Sequence, residues 1–178
     1  MLNELAQKIK NKSILEQLRY LAERFSEKIV FSTSFGQEDQ VITDLIFKNN
    51  IPIKIFALDT GRFFEETYKV WNKTQEKYDK PIHVYFPDKE EVEEMVSKKG
   101  PYSFYESIEN RKECCNIRKV KPLIRALKGI DLWITGLRAE QSQARTDMEF
   151  FSHDESFSTT KFSPLKDWSL KEVVDYLQ

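Results

Sequence analysis

An open, mostly parallel α/β sheet flanked by helices is the fold predicted for this 178-residue chain, on three observations. Apolar runs of four to eight residues alternate along the chain with helix-periodic stretches. The runs are apolar almost throughout, as expected of strands covered on both faces by helices. The glycine- and arginine-bearing segments fall just after the runs, where open α/β sheets keep their ligands.

Taken in order, Asn3–Phe25 reads as a helix, with Leu5, Ile9, Ile14, Leu18 and Leu21 recurring near helical spacing between charges. Lys28–Ser34 is the first strand, and Glu38–Asn49 the helix after it. The connecting Ser32-Thr33-Ser34-Phe35-Gly36-Gln37-Glu38-Asp39 offers hydroxyls, a glycine and a helix start, which together form an anion cradle. It lacks the Gly-Lys-Ser/Thr of a Walker A loop, and small polar residues are also the ordinary composition of a strand-to-helix turn. Strand Ile51–Leu58 leads into Leu58-Asp59-Thr60-Gly61-Arg62 and helix Phe64–Tyr78. There Asp59 can accept from a sugar or base and Arg62 can grip a phosphate, unless Asp59 or Thr60 simply caps the helix. Strand Ile82–Phe86 and helix Lys89–Lys98 follow.

The only two cysteines are adjacent, in Glu113-Cys114-Cys115-Asn116-Ile117-Arg118-Lys119. Neighbours across a trans peptide sit about 3.8 Å apart, inside the 4.4–6.8 Å an ordinary disulfide needs. Metal or cluster ligation is the chemistry such a thiol pair suits, although a closed site takes about four ligands. The plain alternative is two small buried residues. Arg118 and Lys119 open the next helix, Ile117–Leu127, and lower a nearby thiol pKa in this reading. Strand Leu132–Thr135 then ends in Gly136-Leu137-Arg138-Ala139-Glu140-Gln141-Ser142-Gln143-Ala144-Arg145, whose arginines and glutamine suit an anion. Ser169–Gln178 begins as a capped helix, Ser169 at the N-cap and Glu172 at N3. Val173, Val174 and Leu177 give it an apolar face that either docks on the core or belongs to a chain that continues.

Composition narrows the class. The chain is 40% hydrophobic and 32% charged with net charge -1, an ordinary one-domain balance without the basic excess of a nucleic-acid binder. No apolar run approaches the roughly 18–20 residues that span a membrane. No signal-peptide core or disulfide framework is present, so a cytoplasmic location is expected. Three polar loops at three strand ends, two of them arginine-bearing, describe a site for a phosphorylated nucleotide.

At these residues the chain resembles a known family. Ser32–Val41 is similar to the modified PP-loop of the adenylyl-sulfate and phosphoadenylyl-sulfate reductases, and Leu58–Tyr68 to their second motif. Lys99–Tyr105 with Glu113–Leu123 resembles the stretch bearing the first two cluster ligands. Gly136–Arg145 resembles the arginine-rich substrate loop, with Ala139-Glu140 replacing the basic-acidic pair usual in the cluster branch. Phe157–Thr159 and Lys161–Leu165 also fit. The likeness runs from about Lys28 to the last residue.

The resemblance implies a PP-loop, adenine-nucleotide α-hydrolase-like fold and a step of sulfate assimilation and cysteine biosynthesis. In the family, a tail cysteine attacks the sulfonate sulfur, AMP or its 3'-phosphorylated form leaves, and thioredoxin or glutaredoxin releases sulfite. Carried over, Ser32, Ser34, Gly36, Glu38 and Asp39 form the nucleotide loop. Leu58, Asp59, Gly61 and Arg62 flank the adenosine. Arg118, Lys119, Arg138, Gln141 and Arg145 face the phosphosulfate, so removing Arg138 is expected to weaken binding by roughly 1.5–3 kcal/mol. Cys114 and Cys115 are two ligands of a [4Fe-4S] cluster. The double cysteine marks the cluster branch and favours adenylyl sulfate over phosphoadenylyl sulfate. The family's later Cys-x-x-Cys and its tail cysteine are not in the sequence, so no catalytic residue is assigned. Residues 1–178 are read as a reductase domain incomplete at its C-terminus, expected to bind nucleotide without turnover. The rivals are an ATP pyrophosphatase, a non-catalytic nucleotide-binding domain, and a zinc site joining the cysteines to His83 or His153. A homo-oligomer is compatible with all of them.

Overall fold

The computed structural model describes residues 2–145 and 147–178. The elements in chain order are α1 (Leu2–Ile9), α2 (Ile14–Phe25), β1 (Ile29–Ser32), α3 (Gln37–Lys48), β2 (Lys54–Leu58), α4 (Glu65–Tyr78) and β3 (His83–Tyr85). They continue with α5 (Lys89–Lys99), α6 (Ile108–Cys115), α7 (Lys121–Leu127), β4 (Leu132–Ile134), β5 (Phe151–Asp154), β6 (Thr159–Phe162) and α8 (Leu170–Leu177). The six strands lie in the order β3-β2-β1-β4-β6-β5. Every pairing is parallel except that of the β5–β6 hairpin at one edge. The predicted fold class holds.

Side-chain alternation along the strands sends residues to two faces. Ile29, Phe31, Ile55, Ala57, Leu132, Ile134 and Phe162 join the larger core with α2, α3 and Val173 of α8. Val30 and Phe56 point the other way, onto Ala126 and Leu127 of α7. Phe31, Phe56 and Phe162 are fully buried, each contributing roughly 1.5–3 kcal/mol of transfer free energy.

The structure differs from the sequence reading at three helices. Asn3–Phe25 is two helices, because Ser13 and Glu16 close a capping box that restarts the helix at Ile14. Arg118 and Lys119 do not open a helix. The helical path begins at Ile108, where Ser107 caps it through the Asn110 N–H, and passes the cysteines. A π-helical turn at Asn116–Val120 then joins α6 to α7, a wider turn of the kind often found at functional sites. Neither Asp59 nor Thr60 caps α4, whose N-cap position is Phe64. The C-terminal helix forms with its Ser169–Glu172 capping box. Its Val173 is fully buried and its Tyr176 hydroxyl donates to Asp44 of α3.

From β1 the order steps outward through β2 and β3 on one side and through β4 on the other. Such a reversal opens a crevice beyond the strand ends, between β1 and β4.

Candidate functional site

A cavity of about 390 Å³ occupies that crevice, within the size range of small-ligand sites. The loop after β1 supplies Ser32, Ser34, Gly36, Glu38 and Asp39, the end of β2 Leu58, and the loop after β4 Gln141. Lys119 reaches it from the π turn. A second cavity of about 330 Å³ is lined by Arg62, Phe104, Arg111, Cys114, Cys115 and Arg118, and it shares Thr60 and Lys119 with the first. Two compartments therefore meet at one wall.

The first compartment is less positive than an anion cradle. The Ser34 N–H and Oγ donate to Asp39 Oδ2 at 2.6 and 2.7 Å, so these donors are engaged by the helix's own third residue. Ser32 Oγ accepts from Trp133 Nε1 at 2.8 Å. Burial pushes the Asp39 carboxyl up to about 6, against the lowering bonds from Ser34, and the Glu38 charge pushes the same way. Burial also raises Glu38, but its own backbone N–H, Arg138 and Gln141 outweigh that and hold it below the usual range. The rest of the wall is mostly aromatic, aliphatic or hydroxylic, with Trp133, Phe63, Leu137, Thr33, Thr60 and Thr135, and its further cation, Lys161, is paired with Asp154. Such a surface suits a flat, neutral, hydrogen-bonding group.

The raised Asp39 pKa has a sign that can be measured. Between the ordinary 3.8 and about 6, the native chain keeps a proton that the unfolded chain has released. Stability therefore falls as pH rises through that window and is level above it. Asp39→Asn removes the ionisation, so urea midpoints of wild type minus variant should decline across the window. A pH-independent difference would show that Asp39 does not titrate there.

The second compartment has the opposite character. Arg62, Arg111, Arg118 and Lys119 surround the two thiols, and among the described residues no carboxylate lines it. Arg118 is buried, and its Nη1 donates to the Thr60 carbonyl at 2.7 Å. Its Nε is buried without an acceptor among the described residues. Gly61 makes room for that guanidinium: a Cβ there would lie 3.3 Å from Arg118 Nη1, and φ is +71°. Arg62 lies over Phe104 at 4.5 Å and donates to the Pro101 carbonyl at 2.9 Å.

Four residues expected at the ligand have protein partners in this structure. Arg138 is buried off the cavity wall, pairing with Glu38 at 2.9 Å and Glu140 at 3.1 Å. Arg145 donates to Gln141 Oε1 at 2.6 Å. Asp59 accepts from the Gly61 N–H at 2.8 Å and from the Tyr68 hydroxyl. Gly61 serves Arg118. Sequence reasoning missed Trp133, Phe63 and Lys161 in the first cavity and Phe104 and Arg111 in the second. A signal existed for Arg111, which precedes the cysteines by three and four residues and so shares their helix face. Trp133 is flanked in β4 by Leu132 and Ile134, both fully buried in the larger core, and so points to the other face.

Cys114 is partly buried and Cys115 exposed, both as free thiols. Among the described residues no three His, Cys, Asp or Glu side chains converge as a metal site. The histidines sit on β3 and β5, the two opposite edges of the sheet, and neither joins the cysteines in such a group, which leaves the zinc alternative without support among the described residues. Among the described residues no helix is long and apolar enough to cross a membrane.

Residues 28–178 match the family model described as the phosphoadenosine phosphosulfate reductase domain. An adenosine 5'-phosphosulfate reductase of Burkholderia cepacia is 39% identical over 98% of this chain and 69% of its own length. One of Rhizobium meliloti is 44% identical over 82% of this chain and 55% of its own. A crystal structure of phosphoadenylyl-sulfate reductase from Candida auris, in a phosphate complex, superposes with a TM-score of 0.81. It is 28% identical and covers 98% of this chain and 83% of that one. The chain thus spans little more than half the length of some curated relatives it matches.

Proposed function

Because the chain belongs to the phosphoadenosine phosphosulfate reductase domain family, we propose that its joined cavities bind adenylyl sulfate for reduction to sulfite and AMP. Adenine and ribose occupy the first cavity and the phosphosulfate reaches the second. The observation that carries this reading is the division of charge across the shared wall. The compartment with Trp133, two carboxylates and a Lys161 already paired with Asp154 suits a nucleoside, and the one that adds three arginines to the shared Lys119 suits its anionic end. The names of the Burkholderia and Rhizobium relatives support adenylyl sulfate. Phosphoadenylyl sulfate is the second reading, supported by the name of the Candida auris neighbour.

In this reaction a thiolate bonds to the sulfonate sulfur while the S–O bond to phosphate breaks, and AMP leaves with the electron pair. A second thiol then attacks the thiol sulfur of the S-sulfonate, giving a disulfide and sulfite. The two thiols supply the two electrons, and thioredoxin or glutaredoxin is the proposed donor. Lys119, at the shared wall, neutralises charge growing on the departing phosphate. Arg118 is held in place for the same charge by the Thr60 carbonyl.

Cys114 and Cys115 fit half of a four-thiolate set, and we assign them as two ligands of a [4Fe-4S] cluster. A cluster held by these two thiolates would supply electron-transfer or electrostatic chemistry beside the second cavity, which both cysteines line. Calorimetric titration of the chain with adenylyl sulfate, phosphoadenylyl sulfate and ATP tests the reading. Tightest binding of adenylyl sulfate is expected. Preferential ATP binding with release of pyrophosphate would overturn it in favour of an ATP pyrophosphatase.

A further inference from the structure

We propose that Arg111 is a positioning residue for the terminal sulfo group of the bound nucleotide, an inference that rests on the functional reading above. Among the described residues the second cavity is lined by four cations and no carboxylate, a positive surface, with Arg118 buried and the other three reaching solvent, that attracts an anion. Three of the four have other tasks. Arg62 is engaged by the Pro101 carbonyl and the Phe104 ring. Arg118 is engaged by the Thr60 carbonyl. Lys119 stands at the wall shared with the nucleoside compartment, where the α-phosphate must pass.

Arg111 lines the second cavity alone and has no side-chain partner among the described residues. The acids on its helix, Glu109 and Glu113, stand two residues to either side and so off its face, and Glu113 is tied to Lys99 at 2.6 Å. Helix α6 buries none of its residues, so Arg111 has no packing role there. Its position, three and four residues before Cys114 and Cys115, sets the guanidinium on the thiol face. The planar fork suits the oxygens of a sulfo group. Across the cavity, the unpartnered buried Arg118 Nε is a further donor short of an anion.

The test compares adenylyl sulfate with AMP, which lacks the sulfo group, on wild type, Arg111→Ala and Arg111→Lys. Arg111→Ala should lose about 10-fold or more in affinity for adenylyl sulfate, the scale of one charge-assisted bond. AMP binding should change less than about twofold, and Arg111→Lys should recover part of the loss. Equal losses for both nucleotides, or none for either, would overturn the assignment. Should wild type bind neither nucleotide, the functional reading itself fails. Unchanged urea midpoints check that both variants fold.

Discussion

Replacing Gly136 by alanine is expected to destabilise the chain by about 3 kcal/mol and to abolish nucleotide binding. A Cβ at this position would stand 2.1 Å from Asp39 Oδ1 and 3.3 Å from the Asp39 backbone nitrogen. The clash is not relieved by a rotamer change at the end of a loose side chain. The Asp39 carboxyl is buried and fixed by the Ser34 N–H and Oγ. Moving it strands a buried acid and frees the loop that shapes the first cavity. Leaving it forces the loop after β4 away from α3 and opens the crevice. For a chain of this length the loss corresponds to a fall in Tm of roughly 6–12 °C. The cycle with Asp39→Ala isolates the cause, since contacting residues couple. In that background Gly136→Ala should cost about 1 kcal/mol or less, with the backbone contact alone remaining. A Gly136→Ala variant as stable as wild type would show that the approach of the two loops is not required.

Most of the sheet was legible because its strands are short, apolar and followed by turn residues. Phe31, Ile55 and Ile134 could be placed in the core from those runs, and all three are buried. The β5–β6 hairpin was not legible as strands, because Phe151-Ser152-His153-Asp154 is mostly polar and forms an edge. Its partner β6 gains its place by pairing with β4, a contact that local sequence does not announce. The break before α2 did carry a signal: Ser13-Ile14-Leu15-Glu16 has the same capping-box spacing as Ser169–Glu172. Periodic apolar residues on both sides concealed it. Helix α6 had no apolar face to reveal it, since it buries nothing.

The site was legible in its loops and less so in its charges. Sequence locates the strand ends and therefore the crevice, which is why Ser32, Gly36, Leu58 and Gln141 do line one cavity. Which arginine faces a ligand depends on competition among neighbours for each guanidinium, and that is settled only in three dimensions. Arg62 and Arg138 follow strand-end glycines in similar ways. Yet Arg62 is exposed against aromatic rings and Arg138 is buried between carboxylates.

That difference makes Arg138→Ala a stability variant before it is a binding variant. The Arg138 side chain is 6% exposed and that of Glu38 16%. Its guanidinium serves Glu38, Glu140 and the Trp168 carbonyl together, tying α3 to the loop after β4 and to the start of α8. Truncation leaves Glu38 as a largely buried carboxylate without its cation, at a cost of about 3 kcal/mol. The pH dependence identifies the partner. In the native chain Glu38 lies below its ordinary 4.5, so its contribution is present above that value and is lost as pH falls through the lowered one. Without Arg138, burial raises the Glu38 pKa, and protonation relieves the stranded charge. The gap between wild type and Arg138→Ala should therefore be widest near neutral pH and narrow towards about pH 4 in urea midpoints. Arg138→Lys keeps the charge but cannot serve three acceptors in one plane, and should recover only part of the loss. Adenylyl sulfate affinity, measured where both proteins are folded, should change less than about threefold, because the bonds lost are those to Glu38, Glu140 and the Trp168 carbonyl. A binding loss of roughly 1.5–3 kcal/mol with unchanged stability would return Arg138 to the ligand.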